Sequence, residues 1–136
     1  MNNKFFLLSV YISFAWNLYL VSGVMLGATY ALDRAAGGQF EVFPTSIRII
    51  YIVNLAVIFY QVFIFNRYVF DKTIKPKWIV KAFVIIGVLG ILANAASRSA
   101  NERWNVIPAG IITYAFFKIL KTLAKDSEAT DVLGNK

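Results

Sequence analysis

The chain has 136 residues, of which 59% are hydrophobic and 15% are charged, and its net charge is +7. Soluble domains average about 45–50% apolar and 25% charged residues, so this composition indicates a membrane protein. The chain contains neither Cys nor His, which excludes disulfides, thiol redox chemistry, imidazole-bound haem and the usual zinc sites. We therefore expect no metal and no cofactor.

Four apolar stretches account for most of the chain. They run for 28, 18, 16 and 14 residues without a charge, at Phe5–Leu32, Ile49–Asn66, Ala82–Ser97 and Trp104–Phe117. A helix needs about 20 mostly apolar residues to cross a bilayer. We predict an all-α fold, a polytopic four-transmembrane-helix bundle. Its single domain covers residues 1–125 and is followed by a polar cytoplasmic tail at 126–136, with spans at about 5–32, 49–66, 78–97 and 104–123.

The basic residues predict the orientation of the spans. The termini and the loop between the second and third spans hold ten Lys and Arg residues, and the other two loops hold Arg34, Arg48, Arg98 and Arg103. Loops on the cytoplasmic side of a membrane carry an excess of Lys and Arg. Both termini are therefore expected in the cytoplasm, in a multi-pass protein of the cell (plasma or inner) membrane. Because these charges flank membrane spans, no nucleic-acid partner is predicted.

Glycine and proline predict several helix ends. The first helix is expected from about Lys4 to Ala36, where Gly37-Gly38 would supply a left-handed C-cap. Pro44-Thr45-Ser46 is typical of the start of the second helix, and Pro76 fits the first turn of the third.

The fourth helix carries two further signals. Ser99 and Glu102 match a capping box, in which each side chain bonds a backbone N–H of the other residue. Pro108 falls inside the apparent helix and removes one backbone hydrogen bond, so it predicts a kink.

Small residues recur every four positions in the first predicted helix, at Gly23, Gly27, Ala31 and Ala35. On a helix they would form one flat stripe, where another backbone can approach closely. We expect packing against another helix of the same chain, with the face of Gly87, Gly90 and Asn94 as the partner. The spacing of Gly23 and Gly27 also matches a dimerisation motif, so a homo-oligomer is the alternative.

Four amide side chains lie inside the predicted spans and away from the span ends, at Asn17, Asn54, Gln61 and Asn94. Hydrocarbon offers no hydrogen-bond partner, so these side chains should point into the bundle. One interpretation is hydrogen bonding between helices; the other is a polar pocket that opens outward. The spans hold no charged residue at mid-membrane depth, which disfavours a proton-coupled mechanism.

The densest polar segment is the predicted outer loop before the fourth span, with Arg98, Glu102, Arg103 and Trp104. Guanidinium groups bind phosphate through two parallel hydrogen bonds, so this loop predicts a site for a lipid phosphate or an anionic headgroup. The alternative is an ordinary capped helix start with a surface ion pair between Arg98 and Glu102, which are four residues apart. The first outer loop would lie close by, with Asp33, Arg34, Glu41 and Arg48.

Two classes of function remain. The short loops and small-residue stripe favour a non-enzymatic accessory or lipid-binding component of a larger membrane complex. The alternative is a subunit of a small oligomeric transporter or channel for a neutral or polar solute, with the four amides along its path. An enzyme acting on lipid would depend on Glu102 as a lone acid or base, and the chain offers no catalytic set to support it.

Overall fold

A computed structural model describes residues 3–71, 74 and 76–134, with side chains as far as residue 126. Regular structure in these residues is entirely helical: α1 Lys4–Leu26, α2 Thr45–Asp71, α3 Trp78–Ala95, α4 Ala100–Arg103 and α5 Val106–Gly134. Four helical segments are long and apolar enough to cross a membrane, namely α1, α2, α3 and Ala100–Asp126. The predicted all-α, multi-pass architecture is confirmed. Three of the predicted cytoplasmic charges, Lys72, Lys75 and Lys136, lie outside the described residues.

The first helix is shorter than predicted. It ends at Leu26, because Gly27 adopts the left-handed conformation with φ 75°. The backbone N–H groups of Gly27 and Ala28 donate to the carbonyls of Val24 and Gly23, at 3.1 and 2.8 Å, which is a Schellman C-cap. The predicted continuation to Ala36 is therefore wrong. The 23 residues of α1 span about 34 Å at 1.5 Å per residue, close to the thickness of the hydrocarbon core.

The chain beyond Gly27 folds back over the end of α1 in two short 3-10 turns, Thr29–Ala31 and Ala36–Gly38. The Tyr30 ring stacks on that of Tyr19 with centroids 4.4 Å apart, and its hydroxyl donates to the Tyr19 carbonyl at 2.9 Å. Below it, a small apolar cluster joins this segment to α1, formed by Leu20, Val24, Ala31, Ala35 and Phe43.

The predicted small-residue stripe is not a helix face. Gly27 ends α1, and Ala31 and Ala35 lie beyond it in the folded-back segment. Gly23 does permit a close approach, but of a side chain: a Cβ at this position would lie 2.4 Å from the hydroxyl oxygen of Tyr30.

The helices pack in the order α2, α1, α5, α3. Helix α1 lies between α2 and α5, and among the described residues α5 packs most extensively against α3. The expected pairing of α1 with α3 is therefore wrong. At the α3–α5 seam a Cβ on Gly87 would lie 2.2 Å from Thr113 Oγ1, so glycine lets these two helices meet. Helices α2 and α3 have few close backbone approaches along the described residues, and the rings of Tyr60 and Phe83 meet between them with centroids 5.7 Å apart.

The expected starts of the other helices are largely confirmed. Helix α2 begins at Thr45, and the Pro44 carbonyl accepts the first hydrogen bond, from Arg48 N at 3.1 Å. Helix α3 begins at Trp78, so Pro76 precedes its first turn instead of lying in it. Helix α5 continues to Gly134, through residues predicted as a polar tail.

The fourth span is interrupted, as Pro108 predicts. Helix α4 ends at Arg103, and Trp104-Asn105 separates it from α5, which begins at Val106, two residues before Pro108. Pro108 thus lies in the first turn of α5, where a missing N–H needs no partner. Ser99 caps α4 by accepting from Glu102 N at 3.2 Å, but the Glu102 side chain bonds elsewhere, so only half of the predicted capping box forms.

Candidate functional site

The two ends of the bundle differ in what covers them. One end carries the folded-back residues 27–44 and the segment 96–105, and is called the capped end below. The other carries the start of α1, the end of α2, the start of α3 and the end of α5, and is called the termini end.

The four amides predicted within the spans line one cavity. This amide cavity has a volume of about 150 Å³ and takes residues from α1, α2, α3 and α5, including Asn17, Asn54, Gln61, Gly90 and Asn94. A cavity of about 150 Å³ lined by apolar side chains stays dry and accepts benzene. The amide lining makes this one a polar site instead.

The amides do not bridge helices. Asn17 Nδ2 donates to the Ser13 carbonyl at 2.9 Å, and Asn94 Nδ2 donates to the Gly90 carbonyl at 2.8 Å, each within its own helix. Within the described residues the Asn17 and Asn94 Oδ1 atoms accept no hydrogen bond from another side chain. The interhelical bonding expected of these residues is therefore not found, and their acceptor oxygens are left for the cavity.

Gln61 is the most buried of the four amides, with 7% of its surface exposed. No hydrogen bond to its side chain occurs among the described residues. No side-chain polar atom there is both inaccessible and unpaired, so the Gln61 amide must be reached through the cavity that it lines. A buried amide without a partner costs about 1–3 kcal/mol.

Hydrogen bonds between helices come from other residues. Tyr11 donates to Asn66 Oδ1 at 2.7 Å and joins α1 to α2. Trp16 Nε1 donates to Asn105 Oδ1 at 3.0 Å, and Asn105 Nδ2 donates to the Arg34 carbonyl at 3.0 Å. Asn105, only 4% exposed, thereby ties α1, the folded-back segment and the α4–α5 break together. This role is not predicted from the amino-acid sequence, where its one signal is a polar residue near the start of the fourth apolar run.

A second cavity adjoins the first at the capped end. This cap cavity has a volume of about 220 Å³ and shares Asn17, Asn54, Gly90 and Asn94 with the amide cavity. Its own lining includes two opposite charges, Arg34 and Glu102. The two cavities together form a polar path from the capped end to the middle of the bundle.

The path is closed toward the termini end by aromatic rings. Phe65, Phe83 and Phe116 lie one helical turn beyond the amide-cavity residues Gln61, Gly87 and Ile112. All three phenylalanines are buried, and the rings of Phe83 and Phe116 have centroids 5.0 Å apart.

The predicted four-residue headgroup site does not form as one cluster. Arg98, Arg103 and Trp104 are exposed, whereas the half-buried Glu102 turns inward, where its Oε2 accepts from Gly37 N at 2.7 Å and Ser97 Oγ at 2.6 Å. The expected Arg98–Glu102 ion pair is absent; the described residues pair only Arg34 with Asp33, at 4.0 Å, and Arg67 with Asp71, at 3.7 Å.

The two loops of the capped end do meet, as predicted. Asn101 Nδ2 donates to Asp33 Oδ2 at 2.5 Å, and the Ser99 hydroxyl donates to the Asp33 carbonyl. Arg48 contributes from α2, with its Nε donating to the Met25 carbonyl at 2.7 Å.

The described residues contain no group of three or more acidic side chains that could hold a metal ion. Comparison with known proteins finds no matching family model, no similar curated protein and no similar solved structure.

Proposed function

We propose that the protein is a non-enzymatic, lipid-binding component of the cell membrane, and that its amide cavity and the adjoining cap cavity together hold the polar part of a membrane lipid. The observation that carries this proposal is the buried Gln61 amide, which lines a cavity and has no partner among the described residues. A bound polar group would supply the missing hydrogen bonds.

The arrangement of the helices favours a lipid as the ligand. Few close backbone approaches join α2 to α3, and Asn54, which lines the cavity, is exposed, so we infer that the cavity opens sideways between these helices. A lipid can place its polar part among the amides while its chains stay in the bilayer between α2 and α3. A ligand arriving from water would have no need of a lateral opening.

Lipid retention after purification tests this proposal. In nanodiscs of a defined phospholipid mixture, native mass spectrometry should find lipid on the wild-type protein, and Gln61→Leu should reduce the retained fraction several-fold. Phe63→Leu is the matched control, because Phe63 is exposed on the same helix and lines neither cavity. Equal retention by Gln61→Leu and the wild type would contradict the proposal.

A subunit of a small oligomeric transporter or channel for a neutral or polar solute is the second candidate. It is favoured by the continuity of the two cavities, which gives a solute a path halfway through the bundle. Conduction would require the rings of Phe65, Phe83 and Phe116, which close the path toward the termini end, to move apart. Phe116→Ala should then raise solute flux into proteoliposomes, and the native mass spectrum should show an oligomer.

We further propose that both termini lie in the cytoplasm and the capped end outside, as the Lys and Arg distribution predicts. The chain has no cysteine, so a thiol reagent can label only a cysteine that has been introduced by mutation. Val42→Cys should react with an impermeant thiol reagent added to intact cells, and Lys125→Cys should react only after lysis. Labelling of Lys125→Cys from outside would reverse this orientation.

The exposed Arg98 and Arg103 are proposed to contact anionic headgroups at the membrane surface. Replacing both with Gln should lower the enrichment of anionic lipid around the protein without unfolding it, since neither arginine has an ion-pair partner in the described part of the chain. A protein that co-purifies in fixed stoichiometry would support a role within a larger membrane complex.

A further inference from the structure

The cap cavity contains an unusual pair of charges. Arg34 and Glu102 both line it, yet no guanidinium nitrogen of Arg34 lies within 4.0 Å of a Glu102 carboxylate oxygen, so the two do not form an ion pair. In a small cavity two opposite charges gain from pairing unless each is held in place by other contacts.

Both charged residues are held in place. The Glu102 carboxylate is fixed through Oε2 by Gly37 N and Ser97 Oγ, both neutral donors, and no cation lies within ion-pair distance of it in the described structure. The Arg34 backbone is fixed through its carbonyl by Asn105, and the Arg34 guanidinium lies 4.0 Å from Asp33 Oδ1 and 5.7 Å from the centre of the Trp16 ring. The separation of the two charges is thus built into the capped end.

Several polar side chains complete the lining. Asn17 and Asn94 each use one amide N–H on a backbone carbonyl of their own helix, and their side-chain oxygens accept no hydrogen bond from another side chain in the described residues. Together with the Glu102 carboxylate these oxygens are acceptors for a cationic group, and Arg34 is the cation in the same lining. A ligand that fits carries several N–H or O–H donors and one anionic group.

We propose that the cap cavity binds a phosphoethanolamine group, with the primary ammonium at Glu102 and the phosphate at Arg34. An ammonium has three donors and no acceptor, which suits a carboxylate beside amide oxygens, and a guanidinium suits a phosphate. This inference rests on the proposed ligand-binding function and names its ligand class. The same group occurs as the headgroup of phosphatidylethanolamine and as free phosphoethanolamine, so the source is left to the experiment.

The test uses the full-length protein in nanodiscs that contain equal amounts of phosphatidylethanolamine and phosphatidylglycerol, two lipids that share a phosphate and differ in the ammonium. Native mass spectrometry should show preferential retention of phosphatidylethanolamine by the wild type. Glu102→Gln keeps an acceptor oxygen for Gly37 and Ser97 but removes the charge, and should lower the ratio of the two retained lipids about tenfold, the factor that corresponds to one charge-assisted contact.

Two further variants separate the roles of the charges. Glu41→Gln is the matched control, since it makes the same chemical change in an exposed residue of the capped end that lines neither cavity, and should leave the ratio unchanged. Arg34→Gln should lower the retention of both lipids and leave their ratio unchanged, because both carry a phosphate. A thermal unfolding curve of each variant shows whether it is folded.

Free phosphoethanolamine, added to the detergent-solubilised protein, distinguishes the source. Thermal stabilisation that is lost in Glu102→Gln, together with no lipid preference in nanodiscs, would support the same site with a soluble ligand. Retained lipid without any preference, and no response to phosphoethanolamine, would overturn the charge-pair inference but not lipid binding. A protein that retains no lipid and gives no thermal response would overturn both.

Discussion

Helix α3 packs closely against α5 on one side and borders a cavity toward α2 on the other. Toward α5, helix α3 presents Gly87, which lets the two helices meet closely enough that a Cβ would collide with Thr113. Toward α2, it presents Gly90 and Asn94, and neighbouring side chains leave a cavity there. A Cβ at Gly90 would meet nothing within 4 Å. Two glycines three residues apart therefore serve different purposes, one in packing and the other in keeping a space open.

Adding a methyl group at each glycine tests this difference most directly. Gly87→Ala should lower the free energy of unfolding by about 1–3 kcal/mol, the usual cost of overpacking. Rotation of Thr113 about χ1 would move Oγ1 away but leave its Cβ at 3.1 Å from the added atom, which is still a tight contact. Gly90→Ala should be neutral or stabilising by up to about 1 kcal/mol, because alanine favours the helix. Thermal or denaturant unfolding in one detergent measures both, and equal losses would contradict the distinction.

Two amides on α2 test the same difference between a cavity lining and a packed contact. Gln61→Leu should raise the free energy of unfolding by about 1 kcal/mol in the ligand-free protein, because it removes a buried amide that has no partner. Asn66→Leu should lower it by a similar amount, because it leaves the Tyr11 hydroxyl without its acceptor. The same unfolding assay checks both signs. Loss of stability in both variants would mean that Gln61 is structural.

The mobility of α3 relative to α2 and to α5 is expected to differ only slightly. Spin labels at Val53 and Leu89, which face outward on α2 and α3, should give a broader distance distribution than labels at Leu89 and Ile107, which report on α3 and α5. The reason is that α3 is held by close packing on one side and has few close backbone approaches on the other. Pulsed electron paramagnetic resonance in nanodiscs provides the measurement. Similar widths for the two pairs would show that α2 and α3 are fixed by contacts other than direct packing.

Hydrophobicity predicted the helices and the polar cavity well. Four apolar runs gave four membrane-length helices, and the rule that amides avoid hydrocarbon brought Asn17, Asn54, Gln61 and Asn94 to one cavity. The end of α1 was not predictable in this way, because the uncharged run continues past Gly27 to Leu32 and apolar residues suit a folded-back segment as well as a helix.

Pairing between helices was less predictable than their existence. Small residues permit close approach without specifying the partner, so Gly87 was expected to meet α1 but meets α5. The partner of Glu102 was predicted wrongly for a related reason. Spacing of four residues suggested an Arg98–Glu102 pair, but Glu102 instead bonds Gly37, which is 65 positions away in the sequence.

The dependence of α3 on α5 also bears on how the protein is made. During membrane insertion α1 and α2 can pair as soon as both have left the translocon, whereas α3 has few close backbone approaches to another helix until the last one arrives. The contacts that shape the cap cavity come late as well, because Glu102 and Asn105 follow their partners Gly37 and Trp16 by 65 and 89 residues. A nascent chain stopped before α5 would therefore present α3 as an unassembled helix, the kind of substrate that membrane quality-control proteases recognise.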